Sequence, residues 1–287
     1  MDKLRELQLL SVDMLRQFDE VCSRHQVDYF VIFGTALGAV RHKGFIPWDD
    51  DIDIGMTRTE YRKLKEIPAE DWGDELYLTD GEGDEPYHEK VFPRVYKKGT
   101  NFESAYWVKY LKNPKRNIGI KPISLDIMLY DHVDSIEEAE QKTRKAQRLN
   151  RMFLYTKYCM NIAPEDSPAR KIQTIGKRMA HRCLRMIYNP KEVLRKYYRL
   201  VDKKEGKYLI SFDSWTRNDI MGSLMEEKDM FPLQTVPFDG IEVKTIRNVE
   251  KYLTQVYGDY MKLPPEDKRG AHSPAILDLG GFAIQGE

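Results

Sequence analysis

The chain has 287 residues, 46 Lys and Arg balanced by 46 Asp and Glu, and 41% apolar residues. That length suits one α/β core with a helical appendage, and the mixture excludes a disordered chain of low hydrophobicity and high net charge. The start, MDKLRELQLLSVDMLRQF, spaces charges through its apolar residues, and no apolar run reaches the roughly eighteen residues a membrane-crossing helix needs. Cys22, Cys159 and Cys183 lie far apart with no CxxC pair, so neither a disulfide framework nor a zinc site is signalled. A cytoplasmic protein is expected.

Leu4, Leu7, Met14, Leu15, Phe18, Val21 and Cys22 recur at three and four, which predicts an amphipathic helix ending near His25. VDYFVIFG predicts a buried strand entering a turn at Gly34, and TALGAVRHKG a short helix after it. In DIDIGM, Asp alternates with Ile, so a strand there puts Asp51 and Asp53 on one face and turns Ile52 and Ile54 to the core. Thr57 and Glu60 have the spacing of a capping box that opens a helix TRTEYRKLKEI, closed by Pro68. Further strands are expected over 76–80, 91–98 and 124–131. Residues 135–205 read as mostly helical, broken at Pro164, Pro168 and Pro190; a strand IEVKTI, a helix VEKYLTQVYGDY and the segment LPPEDKRGAH follow.

Charge is segregated along the chain. Residues 141–204 carry 18 Lys and Arg against 4 Asp and Glu, which fits either an anionic partner or a solvated helical face. Within this block Ile172, Ile175, Met179, Cys183, Met186 and Ile187 fall on one side of a helix, with Lys171, Lys177, Arg178, Arg182 and Arg185 around the rest. Two readings stay open: a helix lying on an anionic membrane surface, or one packing its Ile and Met side on the rest of the protein.

The densest chemistry lies in GTALGAVRHKGFIPWDDDIDIGM, residues 34–56, where Asp49, Asp50, Asp51 and Asp53 crowd together beside Trp48. Carboxylates at i and i+2 on one strand repel each other unless a cation sits between them. Oxygen ligands without convergent Cys or His favour a hard ion, Mg2+ or Mn2+, and magnesium commonly joins carboxylates to substrate phosphates. A phosphate ester is the substrate class implied. Asp49, Asp51, Asp53 and Glu60 also match positions of a calcium-binding EF-hand loop, but Ile54 stands where that loop needs glycine. Gly34 and Thr35 offer a turn whose N–H groups can approach a phosphate, and Arg41, His42 and Lys43 supply charge to its oxygens.

A glycine with a small hydroxyl residue, an interval, then acid, apolar, acid resembles the nucleotidyltransferase superfold of DNA polymerase beta. More narrowly the stretch resembles the signature of the LicD family, which includes the fukutin-type proteins; KVFPRVYKKGT, SLDIMLYD and YGDYMKLPPEDKRGAH look like later pieces of it. The resemblance leaves out residues 135–215, and GIKPISLDIMLYD departs from the family's GIFIDIFPLD. It implies an α/β (α+β) fold with a mixed sheet core flanked by helices. The divisions expected are a catalytic core over 1–134, a basic helical insertion over 135–205, and a C-terminal αβ segment over 206–287 packing on the core.

By the same resemblance, Asp51 and Asp53 are metal ligands, Asp126 is the third acid, as ligand or general base, and Gly34 and Thr35 contact donor phosphate. Lys90 and Arg94 would steady the developing charge, or are solvated strand-edge charges. Phe102, Tyr106 and Trp107 could receive a quaternary ammonium group or pack in the core, and His272 could line the site or sit on the surface. The implied activity is transfer of phosphocholine, or a related phosphorylated alcohol, from a CDP-activated donor to a glycan or lipid-linked glycan, with no nucleic-acid partner. Two alternatives remain: a nucleotidyltransferase releasing pyrophosphate from a nucleoside triphosphate, and a non-enzymatic module binding divalent cations or glycan.

Overall fold

Helix α1 (Lys3–Arg24) opens the computed structural model of the chain, which describes residues 2–79, 92–104, 121–157, 167–214, 216–266, 269 and 274–282. Asp2 caps it by accepting the Leu4 N–H, and its apolar stripe, Leu7 to Cys22, is buried in the main core. The strand expected over VDYFVIFG is only β1 (Phe30–Val31), and α2 (Phe33–His42) already begins one residue before Gly34. The chain turns at Phe33, whose φ of 44° is in the left-handed region that a bulky residue rarely occupies. That turn is what cuts the strand short.

Strand β2 (Ile52–Thr57) runs antiparallel to β1, with Phe30 opposite Gly55; a Cβ on Gly55 would meet the Phe30 ring at 2.3 Å. Helix α3 (Arg58–Glu66) follows, with the Glu60 N–H donated to Thr57 Oγ1. Only half of the expected box forms, because the Glu60 carboxylate accepts the Asp28 N–H and pairs with Lys63. A single 3₁₀ turn (Ala69–Trp72) leads to β3 (Leu76–Thr79), β4 (Arg94–Lys97) starting just past Pro93, and β5 (Asn101–Ser104).

Strand β6 (Ser124–Val133) is the hub of the seven-stranded sheet. One edge pairs parallel with β2, Asp53 in register with Asp126, while the other pairs antiparallel with β4 at Ser124 to Asp126 and with β7 (Tyr208–Ser211) at Tyr130 to Val133. Three helices lie between β6 and β7: α4 (Ile136–Lys157), α5 (Pro168–Ile187) and α6 (Pro190–Val201). Pro168 and Pro190 are first residues of helices, where the missing N–H costs nothing; Pro164 lies outside the described residues. Helices α4 and α6 enclose a second core with Val133, Ile210 and Phe212, built on Phe153, Leu194, Tyr197 and Val201. Among the described residues, helix α5 contributes none to either core, and its Ile and Met side is turned to solvent rather than packed.

The chain closes with α7 (Arg217–Gly222), β8 (Met225–Glu226), α8 (Glu227–Met230), β9 (Gln234–Phe238), β10 (Ile241–Thr245), α9 (Val249–Tyr257) and β11 (Pro274–Asp278). Strand β8 extends the main sheet from β7, β9 pairs with β10, and β11 pairs with β5. The architecture is the mixed α/β class that the sequence implied.

A buried ion pair joins the sheet to the helical unit. Arg58 of α3 donates to both Asp131 oxygens, at 2.6 and 2.7 Å, and stacks over the Tyr198 ring of α6 at 5.3 Å. Burial disfavours the Arg58 charge, but the hydrogen bonds and charge of Asp131 outweigh it and raise the guanidinium, whereas burial pushes the Asp131 carboxyl up against the pull of Arg58.

Candidate functional site

A cleft of about 770 Å³ opens where the N-terminus of α2 meets the start of β2, and Gly34, Asp49, Asp51 and Asp53 line it. The α2 end is fastened to the acidic strand twice. Ile32 donates its N–H to the Asp53 carbonyl at 3.1 Å, and Asp53 donates its own N–H to Thr35 Oγ1 at 2.9 Å. Gly34 has a steric reason: a Cβ there would stand 2.4 Å from Asp49 Oδ2. Beneath it, Phe33 donates its N–H to the Tyr252 hydroxyl, and Tyr252 is hydrogen-bonded to Tyr130. Burial raises both phenols well above their ordinary value, with the nearby Asp53 charge adding to it.

The loop that carries the acids, between α2 and β2, is anchored from two distant elements. Gln8, buried on α1, donates Nε2 to the Asp49 and Ile46 carbonyls at 2.9 and 3.3 Å. Asp239, in the β9–β10 turn, accepts the Phe45 N–H at 2.9 Å and forms a two-pronged pair with Arg5. These contacts hold Asp49, Asp50 and Asp51 so that each brings a carboxylate oxygen within 4.8 Å of the others. Asp51 falls just before β2, and Asp53 is inside it. Tyr257 of α9 sees three of the cleft acids: its phenol is raised by desolvation first, then by Tyr252, Asp53, Asp49 and Asp51.

The remaining expected residues divide. Arg41 lines the cleft, donating Nη1 to the Tyr260 carbonyl at 2.6 Å, and desolvation lowers its pKa. His42 sits beside it, accepting from Arg41 Nε at 3.0 Å and meeting the Trp48 ring edge-on; burial and the Arg41 charge keep it below the usual imidazole range. Neither His42 nor Lys43 is a lining residue. Lys43 is exposed and ends α2 with a φ of 60°. Lys90, Tyr106, Trp107 and His272 lie outside the described residues.

Asp126 and Arg94 stand on the same sheet face as Asp53, one strand and two strands away. Both are buried: Asp126 Oδ1 accepts Arg94 Nε at 2.7 Å and the Ser124 hydroxyl at 3.1 Å, and Arg94 stacks over Phe92 at 4.8 Å. Arg94 is therefore no solvated edge charge. It compensates Asp126 from below the cleft wall, where Phe92 is the lining side chain. Phe102 belongs to the main core and receives Lys121 on its ring, away from the cleft.

The sequence reading missed Asp213, and in the strap that follows α9 it considered only His272 for the site. Asp213 lines the cleft beside Met128 while accepting the Tyr197 hydroxyl at 2.5 Å and the Leu129 N–H at 2.9 Å. Burial pushes its carboxyl up to about 6, against the pull of Tyr197 and Arg58. From the strap come Asp259, Tyr260, Lys262, Leu263, Pro264 and Pro265, and Arg269 stacks on Trp48 at 5.1 Å. Among the described lining residues six are Asp, namely 49, 51, 53, 213, 219 and 259, and only Arg41 and Lys262 are basic.

Fold and site thus define an α+β protein whose sheet presents a row of acids to an aromatic-walled cleft. Residues 26–119 match the family model described as LicD/FKTN/FKRP, nucleotidyltransferase domain. The chain is 27% identical over 270 residues, 94% of its length and 95% of the relative's, to the lipopolysaccharide cholinephosphotransferase LicD of Haemophilus influenzae. It is also 39% identical over 54 residues to an uncharacterized protein of Rickettsia prowazekii and 35% identical over 66 residues to one of Rickettsia typhi, about a fifth of each chain. These matches agree with the resemblance to the LicD family carried by residues 34–56. An alignment covering 94% of the chain runs through most of residues 135–215, which the sequence reading had left outside the resemblance.

Proposed function

We propose that the chain is a phosphotransferase that moves phosphocholine, or a related phosphorylated alcohol, from a CDP-activated donor to a sugar hydroxyl of a cell-surface glycan such as lipopolysaccharide. The Haemophilus influenzae relative is named as a lipopolysaccharide cholinephosphotransferase, and the present chain covers nearly all of it. The observation that carries the reading is the cleft itself: Asp49, Asp51 and Asp53 beside the N-terminus of α2, under Trp48, Tyr257 and Tyr260.

Six carboxylates against two bases would repel a diphosphate, so the donor set fits a hard divalent cation as well. Asp51 and Asp53 would hold magnesium or manganese, Asp51 being one of the three acids, with Asp49 and Asp50, whose oxygens lie within 4.8 Å of one another, and Asp126 stands beside Asp53 on the next strand. When bound, the cation would neutralise phosphate oxygens of the donor. Arg41 and Lys262 would face the remaining oxygens, and the N–H groups at Gly34 and Thr35 would receive one of them. The rings of Trp48, Tyr257 and Tyr260 suit a quaternary ammonium group.

The step is an in-line displacement. The acceptor's hydroxyl oxygen forms a bond to the phosphorus of phosphocholine, the bond from that phosphorus to the bridging oxygen breaks, and CMP leaves with the electron pair. The hydroxyl proton would pass to Asp213, which lines the cleft where Asp126 does not.

Incubation with CDP-choline, CDP-ethanolamine, CDP-glycerol, CDP-ribitol and ATP in turn tests the reading. CMP from one of the CDP donors supports it; pyrophosphate from ATP alone supports a nucleotidyltransferase, and metal binding without turnover of any donor supports a binding module.

A further inference from the structure

Helix α5 packs on the protein by one narrow side. Thr174 is buried, and His181 Nδ1 stands 2.8 Å from the Tyr155 carbonyl of α4. At about 100° per residue, Ile172, Ile175, Met179, Cys183 and Met186 fall within an arc of about 80° on the opposite side. They are exposed as few apolar side chains in a water-soluble fold are: Ile172 is 71% exposed, Met179 62% and Met186 87%. Lys171, Arg182 and Arg185, all exposed, lie to one side of the stripe, and the helix contains no Asp or Glu.

We propose that α5 docks the protein on an anionic lipid surface, its Ile and Met stripe in the boundary between headgroups and acyl chains and its neighbouring cations against the headgroups. The charge pattern selects this occupant over a second copy of the chain. Two copies meeting at the stripe would bring their Lys171, Arg182 and Arg185 side chains together, with no acid on the helix to answer them. An anionic headgroup layer answers all of them at once. The apolar side chains then leave water without any partner residue, which is the behaviour of an interfacial helix. None of the described helices is long and apolar enough to cross a membrane, so α5 would lie in the surface.

The test is co-sedimentation of the full chain with vesicles of phosphatidylcholine alone or mixed with phosphatidylglycerol, at low and high salt. Two triple variants accompany it: Ile172→Ser/Ile175→Ser/Met179→Ser and Lys171→Gln/Arg182→Gln/Arg185→Gln. Every substituted side chain is exposed, and thermal melting checks that each variant is folded. The wild type is expected to bind anionic vesicles at least tenfold better than neutral ones and to lose that preference at high salt, with each variant at least tenfold weaker. The proposal is overturned if the wild type stays in the supernatant, binds neutral vesicles equally well, or is matched by either variant. It is overturned equally if sedimentation velocity shows a dimer that the serine variant dissociates while vesicles capture nothing.

Discussion

The hydroxyl of Thr35 accepts the backbone N–H of Asp53 at 2.9 Å, so a side chain in the first turn of α2 holds the acid near the start of β2. Thr35 is buried, and the bond ties a helix end to a strand eighteen residues on. Thr35→Val keeps the shape and removes the acceptor, leaving the Asp53 N–H unsatisfied. The expected cost is about 1–3 kcal/mol in urea unfolding, together with a fall in transfer rate. Thr35→Ser should keep both close to wild type.

Asp213→Asn separates a stability effect from a chemical one. Burial pushes the native carboxyl up to about 6 while the unfolded one keeps the ordinary aspartate value of 3.8, so the folded state binds more protons between these values. Stability contributed by the protonated carboxyl is therefore full below about 4, falls as pH rises to about 6, and stays reduced above it. Asparagine removes that slope. The variant should be more stable at pH 7, by on the order of 2–3 kcal/mol, while the transfer rate drops about 10²- to 10⁴-fold if Asp213 takes the acceptor's proton. Melting temperatures from pH 4 to 7.5, measured in chelator, give the first result, and CMP release gives the second. A rate within threefold of wild type would remove Asp213 from the proton transfer.

The ways in which sequence and structure agree follow from periodicity. Asp53 lines the cleft and Ile52 and Ile54 are buried because a strand's alternation is local, and the stripe of α1 was readable for the same reason. Asp213 reaches the cleft only through tertiary folding, so no local pattern could announce it, and the segment carrying Lys262 was recognisable without its place in the cleft being readable. Gln8 looked like an ordinary polar position in an amphipathic helix; its role appears only when the Asp49 loop lies against it. The end of β1 was misread because a turn at Phe33 breaks the rule that glycine takes positive φ. In α5 the spacing identified an apolar side but could not say whether anything covers it.

Gln8→Leu should loosen the acidic loop without touching the cleft. Two carbonyls, of Ile46 and Asp49, lose their donor, and the expected destabilisation is about 1–3 kcal/mol. Hydrogen exchange should rise at residues 46–51, measured against wild type. Unchanged exchange there would mean that Asp239 and Arg5 suffice to hold the loop.

Arg94 and Asp126 form a buried pair, so removing one partner should cost far more than removing both. Arg94→Met alone leaves a buried carboxylate and is expected to cost about 3–5 kcal/mol, whereas Arg94→Met with Asp126→Leu should recover most of it. Chemical denaturation of the single and double variants measures the difference. If the double variant is no more stable than the single, the pair is not what makes Arg94 matter.

The central claim is that Asp51 and Asp53 hold a divalent cation on which turnover of a CDP-activated donor depends. The most direct test follows CMP release from the accepted donor as magnesium is titrated into chelator-treated wild type, Asp51→Asn and Asp53→Asn, with thermal melting on the same samples. The wild type should gain turnover and melting temperature together, by about 2.7 kcal/mol at a hundredfold excess over Kd. Both variants should melt at least as high as metal-free wild type, because a repelling charge is gone, yet gain neither turnover nor stability from the ion. Turnover in chelator, or a variant that keeps near-normal turnover at ordinary magnesium concentrations, would contradict the account.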